Sequence, residues 1–161
     1  MQMPSTLKAF NFFNAGASWQ GQVDELELPK FKKKTEDHQG AGMMMPAPME
    51  LGYEAMEMSI TMGGIVADAI KTFAITGVNS LTGRFSGAYQ RDDTCAVQAV
   101  DLYVRGTYAE IDLGTAKQGD KNKVKAMVKL SYVRLVIDGD VAIEIDALTT
   151  TDAAIAGAIG V

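Results

Sequence analysis

The sequence predicts a mainly β protein with one short helix. Apolar and polar residues alternate with period two over Glu54–Met62 and again over Lys123–Ile137, which is typical of half-buried strands. The pair Asp138-Gly139 follows the second of these strands and is a favoured sequence for a two-residue hairpin turn. Helical periodicity with start and stop signals is clear in a single segment, residues 66–75.

The N-terminal part predicts two strands. The first is the aromatic-rich run Ala9–Asn14, which ends at an Ala-Gly-Ala turn. The second covers Trp19–Leu28, and its alternation changes phase near Asp24-Glu25. One inserted residue reverses the two faces of a strand, so the phase change predicts a β-bulge. Pro29 then interrupts the strand or marks an edge.

Residues 38–49 form an unusual segment that is rich in methionine, glycine and proline. Its composition fits neither a regular helix nor a central strand. Ordering such a segment costs about 1–2 kcal/mol per residue in backbone entropy, which a monomer has little means to offset. Its apolar character argues against simple disorder. The sequence therefore predicts an arm that is ordered by a neighbouring subunit.

The middle of the chain predicts a strand followed by the helix. The strand turns one face inward, consisting of Met56, Met58, Ile60 and Met62. In the helix, Asp68 falls in the first turn and Gly77 lies just past the end. Its predicted inward face consists of Val66, Ala69, Ile70, Phe73 and Ala74.

The remainder predicts a β meander. Strands are expected over 81–89, 94–105, 108–113 and 123–137, with a charged turn at 91–93 and a loop at 114–122. The last strand turns Val124, Ala126, Val128, Leu130 and Tyr132 to one side. Beyond Ser131 the other side also becomes apolar, which predicts that this end is covered on both faces. After the hairpin, the return strand turns Val141, Ile143 and Ile145 to the core.

Composition and charge exclude several classes of protein. A chain of 161 residues fits one domain, and a domain of this size needs no metal or disulfide. The net charge of −5 argues against a nucleic-acid-binding protein. The single Cys95 forms no intramolecular disulfide and is expected to be buried. The N-terminus has no signal-peptide pattern, so cytoplasmic synthesis is expected. The longest apolar stretch near the C-terminus is far shorter than the roughly 20 residues of a membrane span.

No constellation in the sequence predicts catalysis, a metal site or a cofactor. One histidine, His38, and one cysteine cannot supply three or four zinc ligands. There is no nucleophile elbow, phosphate-binding glycine loop or dinucleotide fingerprint. Carboxylate neighbours such as Glu144 and Asp146 are better interpreted as a solvated acidic face than as an acid–base pair.

Four lysines lie between residues 30 and 36, and they allow three interpretations. A nucleic-acid patch is disfavoured because the protein is acidic and the run has no interleaved aromatic residues. Lysine is a common device for protecting an edge strand from unwanted pairing. Alternatively, the lysines pair with acidic residues such as Glu25 and Glu27 of another chain. We favour the last two interpretations together.

A series of short motifs runs in order along nearly the whole chain, although each one alone is weak. They are Leu26-Glu27-Leu28-Pro29-Lys30, Lys34-Thr35-Glu36, Gly40-Ala41-Gly42-Met43, Leu51–Glu57, Arg105-Gly106, Glu110-Ile111-Asp112, Lys117-Gln118-Gly119 and Tyr132–Asp146. In this order the motifs resemble the major tail tube protein of contractile-tailed phages and phage-tail-like bacteriocins.

This resemblance implies a β-sandwich or barrel-like fold with one flanking α-helix and long assembly loops. It implies one tail-tube domain over residues 1–161, an inter-subunit loop at about 34–50 and a C-terminal tail from about 149. Subunits would form hexameric rings that stack into a tube in the virion tail, inside a sheath and in contact with tape-measure and baseplate or terminator proteins. DNA would pass through the lumen without specific binding, and no catalytic residue is implied. The subunit-interface candidates are Lys34, Glu36, Gly40, Gly42, Met43, Met44, Met45 and Met49.

Two other functions stay open at this point. A bacteriocin or secretion machine uses a related inner tube that carries no genome, and the subunit sequence alone does not distinguish the two. A small-molecule-binding β-barrel would instead be a monomer with a concave apolar pocket, and it gives no reason for the methionine-rich arm.

Overall fold

A computed structural model describes residues 2–77, 80–148 and 157–160 of the chain. The C-terminal tail that the sequence predicts from Thr149 therefore lies mostly outside the described residues. The elements in chain order are β1 (Thr6–Asn14), β2 (Ala17–Ser18), β3 (Val23–Glu27), β4 (Lys33–His38), β5 (Ala47–Tyr53), β6 (Met56–Met62), α1 (Ala67–Phe73), β7 (Leu81–Gln90), β8 (Val97–Asp112), β9 (Val124–Ile137) and β10 (Asp140–Asp146).

Eight of these strands form one antiparallel sheet that curls into a half-barrel. The strand order is β2-β1-β7-β8-β9-β6-β3, and β10 also pairs with β9. The long β9 holds two neighbours on one side, because its first half pairs with β6 and its second half with β10. The helix α1 lies on the flank against β8. The predicted mainly β, barrel-like fold with one flanking helix is confirmed.

The core fills the concave side of the sheet. As predicted, β6 contributes four of its largest side chains, Met56, Met58, Ile60 and Met62, all of them buried. From the other end of the sheet, the ring of Phe12 packs against that of Trp19 with their centroids 5.4 Å apart. Burial of one such side chain contributes about 1.5–3 kcal/mol. The two ends of the sheet are thus held together by one shared core.

The predicted bulge in the second strand is confirmed, although the strand is shorter than expected. The register of β3 against β6 shifts between Val23 and Glu25. Residues 19–22 form a turn instead of a strand, and the Gln22 amide donates a hydrogen bond of 3.0 Å to the Trp19 carbonyl. The turn forms because the Trp19 side chain, only 2% exposed, is anchored in the core.

The prediction for β9 is wrong in its second half. Val124, Ala126 and Val128 are buried as expected, but the next buried residues are Ser131 and Val133. The register against β8 shifts here, because Arg105 pairs with Tyr132 while Gly106 pairs with Leu130. Ser131 is therefore an extra residue, and a bulge exchanges the two faces of a strand. Tyr132 leaves the core face, and no second covering layer is needed to explain the apolar residues that follow it.

The hairpin turn between β9 and β10 is confirmed at the predicted pair. Asp138 and Gly139 have φ angles of 51° and 86°, as a type I′ turn requires. Asp138 also joins the hairpin to β8 through two hydrogen bonds. Its amide donates to the Ala99 carbonyl at 2.8 Å, and its Oδ1 accepts from the Ala99 amide at 2.9 Å.

We expect Asp138→Ala to lower the free energy of unfolding by about 1–3 kcal/mol, because alanine strains the left-handed backbone and cannot accept the Ala99 hydrogen bond. Asp138→Asn is the matched control, since asparagine tolerates positive φ and its amide oxygen can accept the same bond. Urea denaturation measures both variants. Equal midpoints for alanine and asparagine would show that the turn contributes little.

Two other residues differ from their predicted burial. Cys95 is exposed, because it lies in the tight connection from β7 to β8 with φ 55° and donates from its amide to the Arg91 carbonyl. In β10, Ile145 is buried and Ile143 packs against the core, but Val141 is 56% exposed. The register of β10 shifts between Val141 and Ile143, which turns the first of these side chains outward.

Tyr108 in β8 is buried, and its hydroxyl has no hydrogen-bond partner within the described residues. Burial raises the pKa of this phenol well above its ordinary value. We expect Tyr108→Phe to be neutral or to stabilise the fold by about 1 kcal/mol, because it removes an unpaired polar group. Tyr132→Phe is the control, since that hydroxyl donates to Glu144 at 3.1 Å and its loss should be slightly destabilising. Thermal denaturation compares the two; a marked loss for Tyr108→Phe would contradict the prediction.

Candidate assembly surfaces

The strands β4 and β5 form a separate two-stranded ribbon, here called the arm. They pair antiparallel from Lys33 opposite Tyr53 to His38 opposite Ala47. The expectation of an irregular segment over 38–49 is therefore wrong at both ends, and only 39–46 is a loop. Pro48 obscured the strand in the sequence, because proline is excluded from central strands but tolerated at an edge such as this one.

Every residue of both arm strands is exposed. An isolated two-stranded ribbon is marginally stable in water. The arm also exposes large apolar side chains, with Met49, Leu51 and Tyr53 49%, 59% and 47% accessible. These features are typical of a segment that another surface covers.

The base of the arm is held by polar contacts. The Glu54 amide donates to the Lys32 carbonyl at 2.8 Å. Lys33 Nζ donates to Glu50 Oε1 at 3.0 Å, and this hydrogen bond, with the charge of Glu50, raises the pKa of Lys33. Gly52 has φ 128° where the register shifts, so the ribbon bends at a position that favours glycine. Lys32 also forms an ion pair with Glu54 at 3.4 Å. Two of the four lysines therefore have an acidic partner within their own chain.

The tip of the arm presents methionines on a tight turn. The Met43 amide donates to the Gly40 carbonyl at 3.2 Å, and Gly42 has φ 84°. Met44 and Met45 are 100% and 72% exposed. All eight predicted interface candidates therefore lie on the arm: Lys34, Glu36 and Met49 on its strands, and Gly40, Gly42, Met43, Met44 and Met45 in its tip.

The helix presents a second exposed apolar surface that the sequence reasoning missed. Of the face predicted to point inward, only Ala69 is fully buried, whereas Ile70 and Phe73 are 38% and 45% exposed. Ile65 and Ile75 flank the helix at 61% and 55% exposure. Ile65 and Ile75 were the signal in the sequence for this surface. A helix that packs on one side only has its apolar residues on its inward face, and these two residues lie outside that face.

The convex face of the sheet carries stacked arginine and aromatic side chains. Arg84 lies 5.4 Å from the ring centroid of Phe13 and 5.6 Å from that of Tyr103, and its guanidinium contacts Asp101 at 3.2 Å. Arg134 covers the other side of Tyr103 at 4.5 Å. A second such pair places Arg105 4.0 Å from the Tyr132 ring. Each such cation–π contact contributes about 0.5–1 kcal/mol at an exposed site. The signal in the sequence was the tripeptide Tyr-Val-Arg, which occurs at 103–105 and again at 132–134.

A cleft of about 480 Å³ lies where the half-barrel fails to close. One wall is the edge of β3, and the other consists of core-side residues of β1 and β7. Apolar and acidic side chains line it: Leu7, Phe10, Leu26, Leu28, Phe85 and Tyr89, with Asp24, Glu25 and Glu27. These lining residues include no histidine, cysteine, serine or lysine. The cleft offers an apolar and acidic contact surface.

Residues with metal-ligand chemistry are not grouped in the described parts of the chain. Across 2–77, 80–148 and 157–160, no three His, Cys, Asp or Glu side chains are placed to hold a metal ion. Within the same ranges no helix has the length and apolarity to cross a membrane.

Comparison of the sequence with known proteins gives a match over nearly the whole chain. A family model described as "Phage tail tube protein FII" matches residues 4–153. The chain is 42% identical over 151 residues to the tail tube protein of Escherichia phage P2, covering 92% of this chain and 88% of that one. It is 33% identical over 150 residues to the major tail tube protein of Serratia phage KSP20, covering 92% and 86%.

Solved structures with a similar fold come from contractile injection systems. One is the sheath/tube terminator of an extracellular contractile injection system, with a TM-score of 0.61, 10% identity, and coverage of 85% of this chain and 98% of that one. Another is the sheath–tube complex of such a system, with a TM-score of 0.56, 11% identity, and coverage of 83% and 90%. At these identities the likeness concerns the fold alone.

Proposed function

Because the chain belongs to the phage tail tube protein FII family, we propose that it is the repeating subunit of the inner tube of a contractile phage tail. Membership of this family makes it a structural component of a phage tail and not an enzyme. In the proposed assembly, subunits form hexameric rings, the rings stack into a tube, and DNA passes through the lumen.

The observation that carries the proposal is the arm. Its strands are exposed along their whole length, and Met44 at its tip is completely accessible. A monomer would hold this ribbon and its exposed methionines in water, where two paired strands gain too little burial to stay ordered. Packing against a second subunit offsets the ordering cost, and obligate interfaces bury on the order of 2,000 Å² or more.

The open strand edges give a second reason for self-association. Within the described residues, β3 pairs only with β6 and β10 only with β9, so each leaves one edge of backbone donors and acceptors. Natural proteins rarely leave such edges uncovered. Joining the sheets of neighbouring subunits removes the free edges, as closure of a barrel does.

Conduction of DNA requires a lumen that does not hold phosphates. The net charge of −5 suits this task, because each neutralised phosphate strengthens binding. The arginines of the convex face are partly compensated, since Arg84 pairs with Asp101. We propose that the sheath, tape-measure and baseplate or terminator proteins contact other surfaces of the tube, and that the subunit is made in the cytoplasm before it enters the virion tail.

The alternative is the inner tube of a phage-tail-like bacteriocin or an injection machine. The fold likeness to extracellular contractile injection systems favours it, whereas the more similar sequences come from phages. Capsid and terminase genes next to the gene for this chain would support the phage tail; their absence would support the injection machine.

Negative-stain electron microscopy of the purified protein at rising concentration, with mass from light scattering, tests the proposal. We expect rings and hollow tubes with six-fold end views. A protein that remains at its subunit mass of 17.2 kDa at every concentration, and also binds a small apolar ligand in the cleft, would contradict a tube and favour a ligand-binding barrel.

A further inference from the structure

We propose that the arm of one subunit completes the open edge of β3 in the next, with β4 adding antiparallel to β3 over the cleft. This inference rests on the proposed self-assembly and names its donor and acceptor surfaces. The donor is the arm, and the acceptor is the gap between the first and last strands of the half-barrel.

The acceptor has the form of a missing strand. Five consecutive residues, 24–28, line the cleft, so the cleft runs along the strand edge and not across one face. That edge has no pairing partner within the described residues, because β3 ends the sheet. The opposite wall includes Leu7 and Phe10 of β1, which lies at the other end of the sheet. An extended segment placed here gains backbone hydrogen bonds along the open edge of β3.

Charge selects β4 as the segment and fixes its direction. Lysines 30, 32 and 34 precede or begin β4, whereas Glu36 and Asp37 lie near its end. An antiparallel arrangement with Lys34 opposite Glu25 also puts Lys32 opposite Glu27, and it places Glu36 opposite Val23, an uncharged residue. A parallel arrangement would carry Glu36 and Asp37 towards Glu27. Opposite charges directly across a strand pair stabilise it, and like charges destabilise it.

The inward face of the arm is compatible with the apolar wall. In this register Lys33 lies opposite Leu26, and its own partner across the ribbon is Tyr53. The Lys33 ammonium is already paired with Glu50, so its methylene stem can cover apolar surface without leaving an unpaired charge. Tyr53 would contact the aromatic wall of the cleft, where the ring centroids of Phe10 and Phe85 lie 5.7 Å apart.

The remaining strand of the arm also fits this placement. With β4 against β3, the free edge of the added ribbon is β5, which contains Pro48. Proline cannot donate to a ladder and is confined to such edges. Donor and acceptor are different surfaces of the same chain, so the contact is heterologous, and repetition of it generates a ring where the rotation closes.

The test uses disulfide trapping between two singly substituted copies of the full chain. Exposed Cys95 is first replaced by asparagine, which tolerates its positive φ. A tagged Glu25→Cys copy is mixed with a Lys34→Cys copy, oxidised under assembly conditions and examined on a non-reducing gel. The matched control is Asp37→Cys, which is on the same strand but about 10 Å further along. A disulfide forms only when the Cα atoms lie within roughly 7 Å.

We expect the Lys34→Cys mixture to give a tagged heterodimer and the Asp37→Cys mixture to give none. Equal trapping at both positions, or trapping only at Asp37, would overturn the inference. Tubes that form in the microscope without the Glu25–Lys34 disulfide would also overturn it and leave the proposed function intact. If neither tubes nor trapped dimers form, the proposed function fails as well.

Charge reversal gives an independent measurement. A Glu25→Lys, Glu27→Lys variant and a Lys32→Glu, Lys34→Glu variant should each lose assembly alone. Mixed in equal amounts they should regain it, because each arm then meets the opposite charge on its neighbour. No recovery in the mixture, with both variants folded by circular dichroism, would contradict the proposed pairing.

Discussion

Gly106→Ala should destabilise this protein by about 3–5 kcal/mol, more than alanine at any other glycine. A Cβ at this position would clash with the backbone oxygen of Lys129 and lie 3.0 Å from the Cα of Leu130. Both atoms belong to β9, so no side-chain rotation relieves the clash. The two longest strands would have to separate where the bulge at Ser131 brings them together.

The matched control is Gly64→Ala, because a Cβ there meets nothing within 4 Å and the backbone φ is an ordinary one. Circular dichroism in rising urea measures both variants. We expect the control to unfold within about 0.5 kcal/mol of the parent, and the Gly106 variant to unfold at a much lower urea concentration or to be insoluble. Similar midpoints for the two alanines would mean that the β8–β9 contact is looser than the structure indicates.

Replacing Met43, Met44 and Met45 together by serine should weaken assembly while leaving the subunit folded. These side chains are 36%, 100% and 72% exposed in the single chain, so their removal exposes no cavity. In an assembled interface each buried anchor commonly contributes more than about 1 kcal/mol. We therefore expect the concentration required for assembly to rise by more than about tenfold, which corresponds to 1.4 kcal/mol.

Leu113→Ser is the control for a general loss of surface hydrophobicity, since Leu113 is 48% exposed and lies just after β8, away from the arm. Sedimentation velocity at rising concentration measures assembly, and thermal denaturation checks the fold. Normal tubes from the triple serine variant would show that the tip of the arm does not contribute to the interface. A lowered melting temperature in that variant would show that the tip supports its own subunit.

The arm and the cleft together explain why this chain pairs a well-packed sheet with large exposed apolar groups. The core holds the ends of the half-barrel in place through Phe12 and Trp19. The edge of β3 remains open, and within the described residues the chain extends a two-stranded ribbon that pairs with no strand of the main sheet. The proposed pairing of the arm with a second copy of the chain accounts for both features.

Several elements were predictable because their signals are local. The Asp138-Gly139 turn follows from two residues that tolerate positive φ, and the strand at Met56–Met62 follows from simple alternation. The bulge near Asp24 was visible as a change of phase within a few residues. All eight interface candidates fall on one ribbon, since they were adjacent in sequence. Their contact with a neighbour stays a prediction.

Other features depended on residues far apart in the sequence. The face exchange in β9 arises because Gly106 of β8 lets the two backbones approach closely, and nothing within 124–137 signals it. The same holds for Cys95, whose apolar neighbours suggested burial although the β7–β8 connection turns it outward. Exposure of Ile70 and Phe73 likewise depends on how little of the helix the sheet covers.

The sequence by itself determined the mainly β class, the hairpin and the inward methionine face, because each follows from local periodicity or turn chemistry. That the arm packs against a neighbour stays a prediction. Only the tertiary structure decided which strand edges stay open, where the half-barrel leaves its cleft, and which apolar side chains face water. These depend on pairing between distant strands, and the register of such pairing is set by bulges and close approaches that a single strand's sequence does not contain.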